Sequence, residues 1–85
     1  MNTEAAVRDA VLATLRRVAP GMEAAALDPD ADLREQLDLD SVDALRFFVA
    51  LKESVGVDVP ERDYGGLRTL NACVRYVQAH QPARE

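Results

Sequence analysis

The sequence predicts an all-α protein: a small four-helix bundle of three main helices plus one short helix, with a long loop after the first helix. Three segments place apolar residues at the spacing of an amphipathic helix, and Pro or Gly follows the first two. With 85 residues the chain is long enough for one domain, so residues 1–85 are predicted to fold as a single unit. A hydrophobic content of 48% is sufficient for a packed core and argues against disorder.

The first predicted helix begins after Thr3, a residue suited to an N-cap, and ends at Pro20-Gly21. Its inner face is predicted to contain Val7, Ala10, Val11, Thr14, Leu15 and Val18. The long connection from Met22 to Leu39 has no sustained period, and we expect Leu27, Leu33 and Leu37 to hold it to the core. A loop of this length in a compact domain usually has a function or its own packing.

The second helix is predicted from about Ser41 to Val55, ending near Gly56. Asp40 and Ser41 both suit its N-cap, and Asp43 adds negative charge where the helix dipole favours it. At about 100° per residue one arc is apolar and is assigned to the core: Ala44, Phe47, Phe48, Leu51 and Val55.

A second apolar stripe lies on nearly the opposite side of this helix, at Val42, Leu45 and Val49. A helix in a small bundle cannot bury both sides, so we expect these three side chains to stay at least partly exposed. Such a stripe favours a docking surface, with a loop folded over it as the alternative.

After the second helix, residues 57–60 are predicted to be extended, residues 61–64 to form one helical turn, and Gly65-Gly66 to end it. Thr69 suits the N-cap of a last helix that ends near His80. The inner face of this helix is predicted to contain Leu70, Cys73, Val74 and Val77. Cys73 is therefore expected to be a small core residue and not a redox site.

Composition disfavours several classes of function. Aromatic residues make up only 5% of the chain and Trp is absent, which makes a broad, rigid substrate pocket difficult to build. One Cys cannot form an internal disulfide, and no Cys/His cluster suits a metal, so no metal site is expected. No apolar run reaches the roughly 20 residues that span a bilayer. We expect a cytoplasmic protein that does not insert into a membrane.

The negative charge is concentrated in one stretch. Residues 28–43 contain seven acids against one base, which gives −6, whereas residues 1–27 sum to 0 and residues 44–85 to +1. Such a field repels nucleic acid and favours basic protein partners, although a solvated loop would look the same.

Ser41 is the candidate functional residue, because it lies at the N-terminal edge of the exposed stripe. No His lies near it in sequence, and His80, the only one, lies near the C-terminus, so a Ser-His hydrolase is not expected. Ser41 is either a simple N-cap or the carrier of a phosphate ester, which a helix N-terminus favours.

Residues 37–43, Leu-Asp-Leu-Asp-Ser-Val-Asp, resemble the acyl carrier protein signature, in which Asp-Ser-Leu opens the second helix. The resemblance continues through the acidic residues 30–37, the Val57-Asp58-Val59-Pro60 turn and the last helix, residues 67–80. It implies that a separate phosphopantetheinyl transferase attaches 4′-phosphopantetheine from coenzyme A to Ser41, with Asp40 supporting the magnesium of that enzyme.

The resemblance further implies that the protein carries acyl groups as thioesters, without a catalytic residue of its own. The docking face for acyl ligases, transferases or synthases of fatty-acid, polyketide or other pathways would be formed by Asp40, Val42, Asp43, Leu45, Arg46 and Val49. A monomer is expected. A peptidyl or aminoacyl carrier and an unmodified helical adaptor are the alternatives.

The chain also departs from the family pattern. Asp38 stands where Gly is usual, and Val42 replaces Leu. Arg46 and Lys52 occupy positions that are commonly acidic, so the electrostatics of partner binding should differ. Phe47 and Phe48 replace smaller aliphatic residues; they either fill the space of an acyl chain or complete a core that is poor in aromatics.

Overall fold

The computed structural model describes residues 3–80, and in this part of the chain it contains helices and no strand. The α-helices are α1 (Glu4–Val18), α2 (Leu33–Leu37), α3 (Ser41–Val55) and α4 (Leu70–His80). Two 3₁₀ segments, Ala24–Ala26 and Glu61–Gly66, lie in the connections. The predicted all-α bundle, with three main helices and a long first connection, is confirmed.

The ends of the main helices follow local capping signals. The Thr3 hydroxyl accepts a hydrogen bond from the Ala6 amide over 3.1 Å at the start of α1. The Thr69 hydroxyl accepts one from the Ala72 amide, also over 3.1 Å, at the start of α4. Gly56 ends α3 with a φ of 74°, a left-handed conformation that Gly adopts without steric cost. The predicted helix ends are confirmed. They could be predicted from the sequence because each cap lies within a few residues of the groups that it satisfies.

The core lies between α1, α3 and α4, and α1 packs against both other helices. Most positions that periodicity assigned to the inner faces are buried: Val7, Val11, Thr14, Leu15, Phe47, Phe48, Leu51, Leu70, Cys73, Val74 and Val77. The Thr14 hydroxyl donates to the Ala10 carbonyl over 2.8 Å, so its polar group is satisfied. Four of the predicted positions are only partly buried: Ala10, Val18, Ala44 and Val55.

The connection between α1 and α3 contains more regular structure than the sequence analysis predicted. Asp32 is the N-cap of α2, and its carboxylate accepts hydrogen bonds from the amides of Arg34 and Glu35 over 2.8 and 3.4 Å. A helix of five residues is too short to show hydrophobic periodicity. The available signal was Asp32 followed three residues later by Glu35, the spacing of a capping box.

This connection is also fixed to the segment before α4. Arg68 forms an ion pair with Asp32 over 2.6 Å, and the Leu33 amide donates to the Arg68 carbonyl over 2.7 Å. Leu33 is buried, and Leu27 and Leu37 pack against the core as predicted. The loop therefore has a stable position next to the start of α3.

The segment between α3 and α4 closes the bundle. Val57 and Val59 are buried, and the 3₁₀ segment that follows includes both residues of the Gly65-Gly66 pair predicted to end it. Within residues 3–80, no helix is both long and apolar enough to cross a membrane.

Candidate functional site

At the start of α3, the adjacent side chains of Asp40 and Ser41 have different roles. The Asp40 carboxylate accepts a hydrogen bond from the Asp43 amide over 2.8 Å, and the Asp43 carboxylate accepts one from the Asp40 amide over 3.3 Å. This reciprocal pair is a capping box with Asp40 as the N-cap. Ser41 is the first residue of the helix and is exposed. Ser41 is therefore not the N-cap, and its hydroxyl is not needed to cap α3.

The electrostatic environment at this end of the helix favours negative charge. The Asp43 amide that donates to Asp40 holds the pKa of the Asp40 carboxyl below its usual value, and the Val42 amide and the positive charge of Arg46 act in the same direction. The backbone N–H groups and the dipole of a 15-residue helix favour an anion attached at Ser41 for the same reason.

The turn that leads into α3 depends on a left-handed residue. Asp38 is the C-cap of α2, and its φ of 54° is the only positive value at a non-Gly residue among residues 3–80. Asp tolerates this conformation better than most residues, and Gly adopts it freely. The conformation accounts for the Gly that is usual at this position in the resembled family.

The second apolar face of α3 is exposed, as the sequence predicted. The exposed fractions are 55% for Val42, 49% for Leu45 and 53% for Val49. Together with Val18 and Ala50 these side chains line an open groove between the C-terminal part of α1 and α3. No described loop covers the stripe, so the alternative in which a loop folds over it is not supported.

Charged side chains of both signs border this groove. Arg46 and Glu53 of α3 line it, and Glu53 forms an ion pair with Arg17 of α1 over 3.1 Å. Asp40 and Asp43 lie at the N-terminal end of the stripe. The border is therefore acidic next to Ser41 and mixed further along α3.

Part of the acidic stretch has a structural function. Asp32 pairs with Arg68, and the Asn71 side chain donates to Asp30 over 2.7 Å while it accepts from Arg8 over 2.8 Å. Two of the seven acids thus hold the long connection to α4. These contacts join residues that are 36 and 41 positions apart, so the charge pattern along the chain does not reveal them.

A cavity of about 170 Å³ lies on the core side of Ser41, which is one of its lining residues. Its lining includes Phe47 and Phe48, together with residues that the sequence analysis did not assign to the site: Leu15, Arg34, Tyr64, Leu67 and Arg68. These residues come from α1, α2, α3 and the segment before α4. No pattern along the chain could bring them together, because they are far apart in sequence.

The one Cys of the chain, Cys73, is buried among core residues as predicted. Burial raises the pKa of its thiol to about 12, so the thiolate needed for redox or metal chemistry is disfavoured.

Comparison with known proteins points to one family. Residues 6–77 match the family described as "Phosphopantetheine attachment site". The chain is 32% identical to an acyl carrier protein of Rubrobacter xylanophilus over 63 residues, which is 74% of this chain and 78% of the relative. It is 30% identical to a meromycolate extension acyl carrier protein of Mycolicibacterium smegmatis over 77 residues, covering 87% of this chain and 78% of the relative.

Proposed function

This chain belongs to the acyl carrier protein family and has its phosphopantetheine attachment domain, and we propose that Ser41 is the residue that carries the prosthetic group. The observation that carries the proposal is that Ser41 is exposed at the first position of α3. Its hydroxyl does not cap the helix, because Asp40 is the N-cap. Asp40 is the supporting residue: its lowered pKa keeps it ionised at neutral pH, which suits contact with the magnesium ion of a transferase.

The proposed modification is a phosphoryl transfer catalysed by a separate transferase. The Ser41 oxygen forms a bond to the phosphorus that bears the pantetheine arm of coenzyme A. The bond from this phosphorus to the bridging diphosphate oxygen breaks, and adenosine 3′,5′-bisphosphate leaves. The hydroxyl proton passes to a base of the transferase. The attached group supplies a thiol at the end of a long arm, on which acyl groups are held as thioesters.

We infer that the chain is a carrier and not an enzyme. The family carries acyl groups, and the sequence contains no His near Ser41 that could act as its base. His80 is at the end of α4, where a ring nitrogen lies 2.9 Å from the Tyr76 carbonyl oxygen and the ring stacks on Tyr76 with centroids 4.0 Å apart. These contacts engage His80 within its own helix.

We further propose that the exposed stripe is where partner enzymes dock: the phosphopantetheinyl transferase first, and then acyl ligases, transferases or synthases. The docking face consists of Val42, Asp43, Leu45, Arg46 and Val49, next to Ser41 on the same helix. Docking there would bring the tethered acyl group to the partner at high effective concentration. Basic side chains on the partner would meet Asp40 and Asp43, and an acidic one would meet Arg46.

Intact mass measurement tests the modification. The purified protein, incubated with coenzyme A, magnesium and a broad-specificity phosphopantetheinyl transferase, should gain the mass of one phosphopantetheine. Ser41→Ala should abolish the gain. Ser54→Ala is the matched control, because Ser54 is the only other Ser of the chain and is exposed near the other end of α3; this variant should be modified like the wild type.

Two results would overturn the proposal. Full modification of Ser41→Ala would place the group elsewhere. No modification of the wild type by several transferases would favour the unmodified helical adaptor. A peptidyl or aminoacyl carrier would also be modified at Ser41, and loading with aminoacyl instead of acyl groups would identify it.

A further inference from the structure

The Arg34 side chain lies next to the segment that leads into Ser41. The Leu39 amide donates to the Arg34 carbonyl over 2.9 Å, and the Arg34 Nε donates to the Leu39 carbonyl over 3.5 Å. Leu39 is two residues before Ser41, so their Cα atoms are at most about 8 Å apart. Arg34 and Ser41 also line the same cavity. The guanidinium group is therefore within reach of a group attached to the Ser41 hydroxyl.

The helix that bears Arg34 has a fixed position. Arg68 pairs with Asp32, the N-cap of α2, over 2.6 Å, and the Leu33 amide donates to the Arg68 carbonyl over 2.7 Å. Leu33 is buried in the core. Because these contacts hold α2 against the segment before α4, the Arg34 side chain extends from a defined point next to Ser41.

The guanidinium group of Arg34 is available for a further contact. None of the ion pairs within residues 3–80 includes Arg34, and its side chain is exposed. The hydrogen bond that its Nε donates to Leu39 is long, so exchanging it for a shorter one costs little. A guanidinium group also has several other N–H donors.

Two other Arg side chains lie near the start of α3, and both differ from Arg34. Arg68 also lines the cavity, but its Nε and Nη2 both contact the Asp32 carboxylate, over 2.8 and 2.6 Å. Arg46 lines the groove on the side of the exposed stripe. Of the two Arg residues that line the cavity with Ser41, only Arg34 has no acidic partner within residues 3–80.

Attachment at Ser41 adds negative charge to the most acidic part of the chain. Residues 28–43 contain seven acids against one base, and that base is Arg34. A phosphodiester is anionic at neutral pH, and its unesterified oxygens accept hydrogen bonds. Guanidinium groups bind such oxygens with two parallel N–H···O bonds. A contact with Arg34 would therefore offset the repulsion between the attached phosphate and the neighbouring carboxylates.

We propose that Arg34 donates hydrogen bonds to the unesterified phosphate oxygens of the prosthetic group and thereby holds the start of the arm on the α2 side of Ser41. The inference rests on the proposed attachment at Ser41 and adds a positioning residue for the attached group. The exposed stripe lies on the other side of α3, so an arm held by Arg34 leaves the docking face uncovered.

Phosphorus NMR of the modified protein tests this contact. The wild type and each variant are modified with coenzyme A, magnesium and a broad-specificity transferase until intact mass shows complete conversion. The reference is the phosphorus resonance of the same protein unfolded in urea. Arg34→Gln should shift the folded resonance toward this reference. Arg34→Lys should shift it less, because an ammonium group keeps the charge but not the paired donors.

Thermal unfolding provides a second readout. The change of the midpoint on modification should be more favourable in the wild type than in Arg34→Gln by about 1–5 °C, the size expected for an exposed ion pair in a small domain. High salt should reduce this difference, because it screens the charges. Melts of the unmodified proteins show whether Arg34→Gln itself disturbs the fold.

Two further variants serve as controls. Arg75 is exposed on α4, is in no ion pair within residues 3–80 and does not line the cavity. Arg75→Gln removes the same charge and should match the wild type in both readouts. Arg46→Gln removes a charge on the groove side of α3 and should leave the folded phosphorus resonance close to that of the wild type.

Four outcomes would overturn the proposal. The first is an Arg34→Gln protein that matches the wild type in both readouts, and the second is an equal effect of Arg75→Gln. The third is a resonance that shifts in Arg46→Gln and not in Arg34→Gln, which would place the phosphate on the groove side. The fourth is an Arg34→Gln protein that the transferase does not modify, which would assign Arg34 to the transferase contact. A wild type that is not modified contradicts the proposed function instead, and intact mass separates this case.

Discussion

Asp40 and Ser41 are neighbours in the chain, but their side chains have different surroundings. The Asp40 carboxylate is bound to the backbone of α3 and its pKa is lowered, chiefly by the hydrogen bond from the Asp43 amide. The Ser41 hydroxyl is left available. A carboxyl group whose pKa is lower in the folded than in the unfolded state stabilises the fold above its unfolded pKa, and this contribution is lost as the pH falls through the folded pKa.

We predict that Asp40→Ala lowers the midpoint of thermal unfolding at neutral pH, because the first turn of α3 loses its cap. The deficit relative to the wild type should shrink as the pH falls below about 4, where the wild-type carboxylate also becomes protonated. Circular dichroism melts between neutral and acidic pH measure both effects.

Asp40→Asn is the matched control for this prediction. Its amide oxygen can still accept the hydrogen bond, so this variant should be more stable than Asp40→Ala at neutral pH. A deficit of Asp40→Ala that stays constant down to the lowest pH would contradict the contribution of the charged carboxylate.

At the scale of one element, α3 has apolar side chains on two opposite sides. One side places Phe47, Phe48 and Leu51 in the core, and the other exposes Val42, Leu45 and Val49. The helix begins at the proposed attachment residue, so in the proposed function one rigid element would present both the prosthetic group and the docking face. A change on the exposed side should therefore affect partner enzymes without affecting the fold.

We predict that Leu45→Asp slows modification by the transferase or acyl loading several-fold, while the helical content and the thermal midpoint stay close to wild type. The reason is that a charge replaces the central apolar contact of an exposed stripe. Initial rates by mass spectrometry and melts by circular dichroism provide the two readouts.

Ser54→Asp introduces the same charge at an exposed position of α3 that does not line the groove, and it should leave the rates nearly unchanged. Equal slowing by both variants would indicate a general charge effect. Unfolding of Leu45→Asp would show that Leu45 belongs to the core and would remove the docking face.

At the scale of the whole molecule, one small core stabilises the protein. A domain of this size is stable by only about 5–10 kcal/mol, so a single core side chain contributes a large share. Leu51 is 1% exposed and Leu45 is 49% exposed, although both are Leu residues of α3. Substitution of these two Leu residues therefore compares the effect of a buried and an exposed side chain on the stability of the same helix.

We predict that Leu51→Ala reduces the free energy of unfolding by about 2–5 kcal/mol, because it removes buried methyl groups and leaves a cavity. Leu45→Ala should reduce it by less than about 1 kcal/mol, because little apolar surface is lost from the interior. Urea denaturation of both variants measures the difference. Similar losses in the two variants would contradict the assignment of faces on α3.

The sequence by itself determined the main helices, the core face and exposed stripe of α3, and Ser41 as the candidate residue. These features depend on local information: caps such as Thr3 and Thr69 lie within a few residues of the groups they satisfy, and the faces of a helix follow from 3.6 residues per turn. Even α2, which is too short to show periodicity, has a local signal in its N-cap residue Asp32.

Only the tertiary structure decided which charged side chains form ion pairs within the molecule and which distant residues line the cavity beside Ser41. Asp32 meets Arg68, and Phe48 meets Tyr64, across separations of 36 and 16 residues along the chain. The physical reason is that packing brings together side chains whose separation in sequence has no fixed period, so no local pattern can predict a cavity or an ion pair between distant segments.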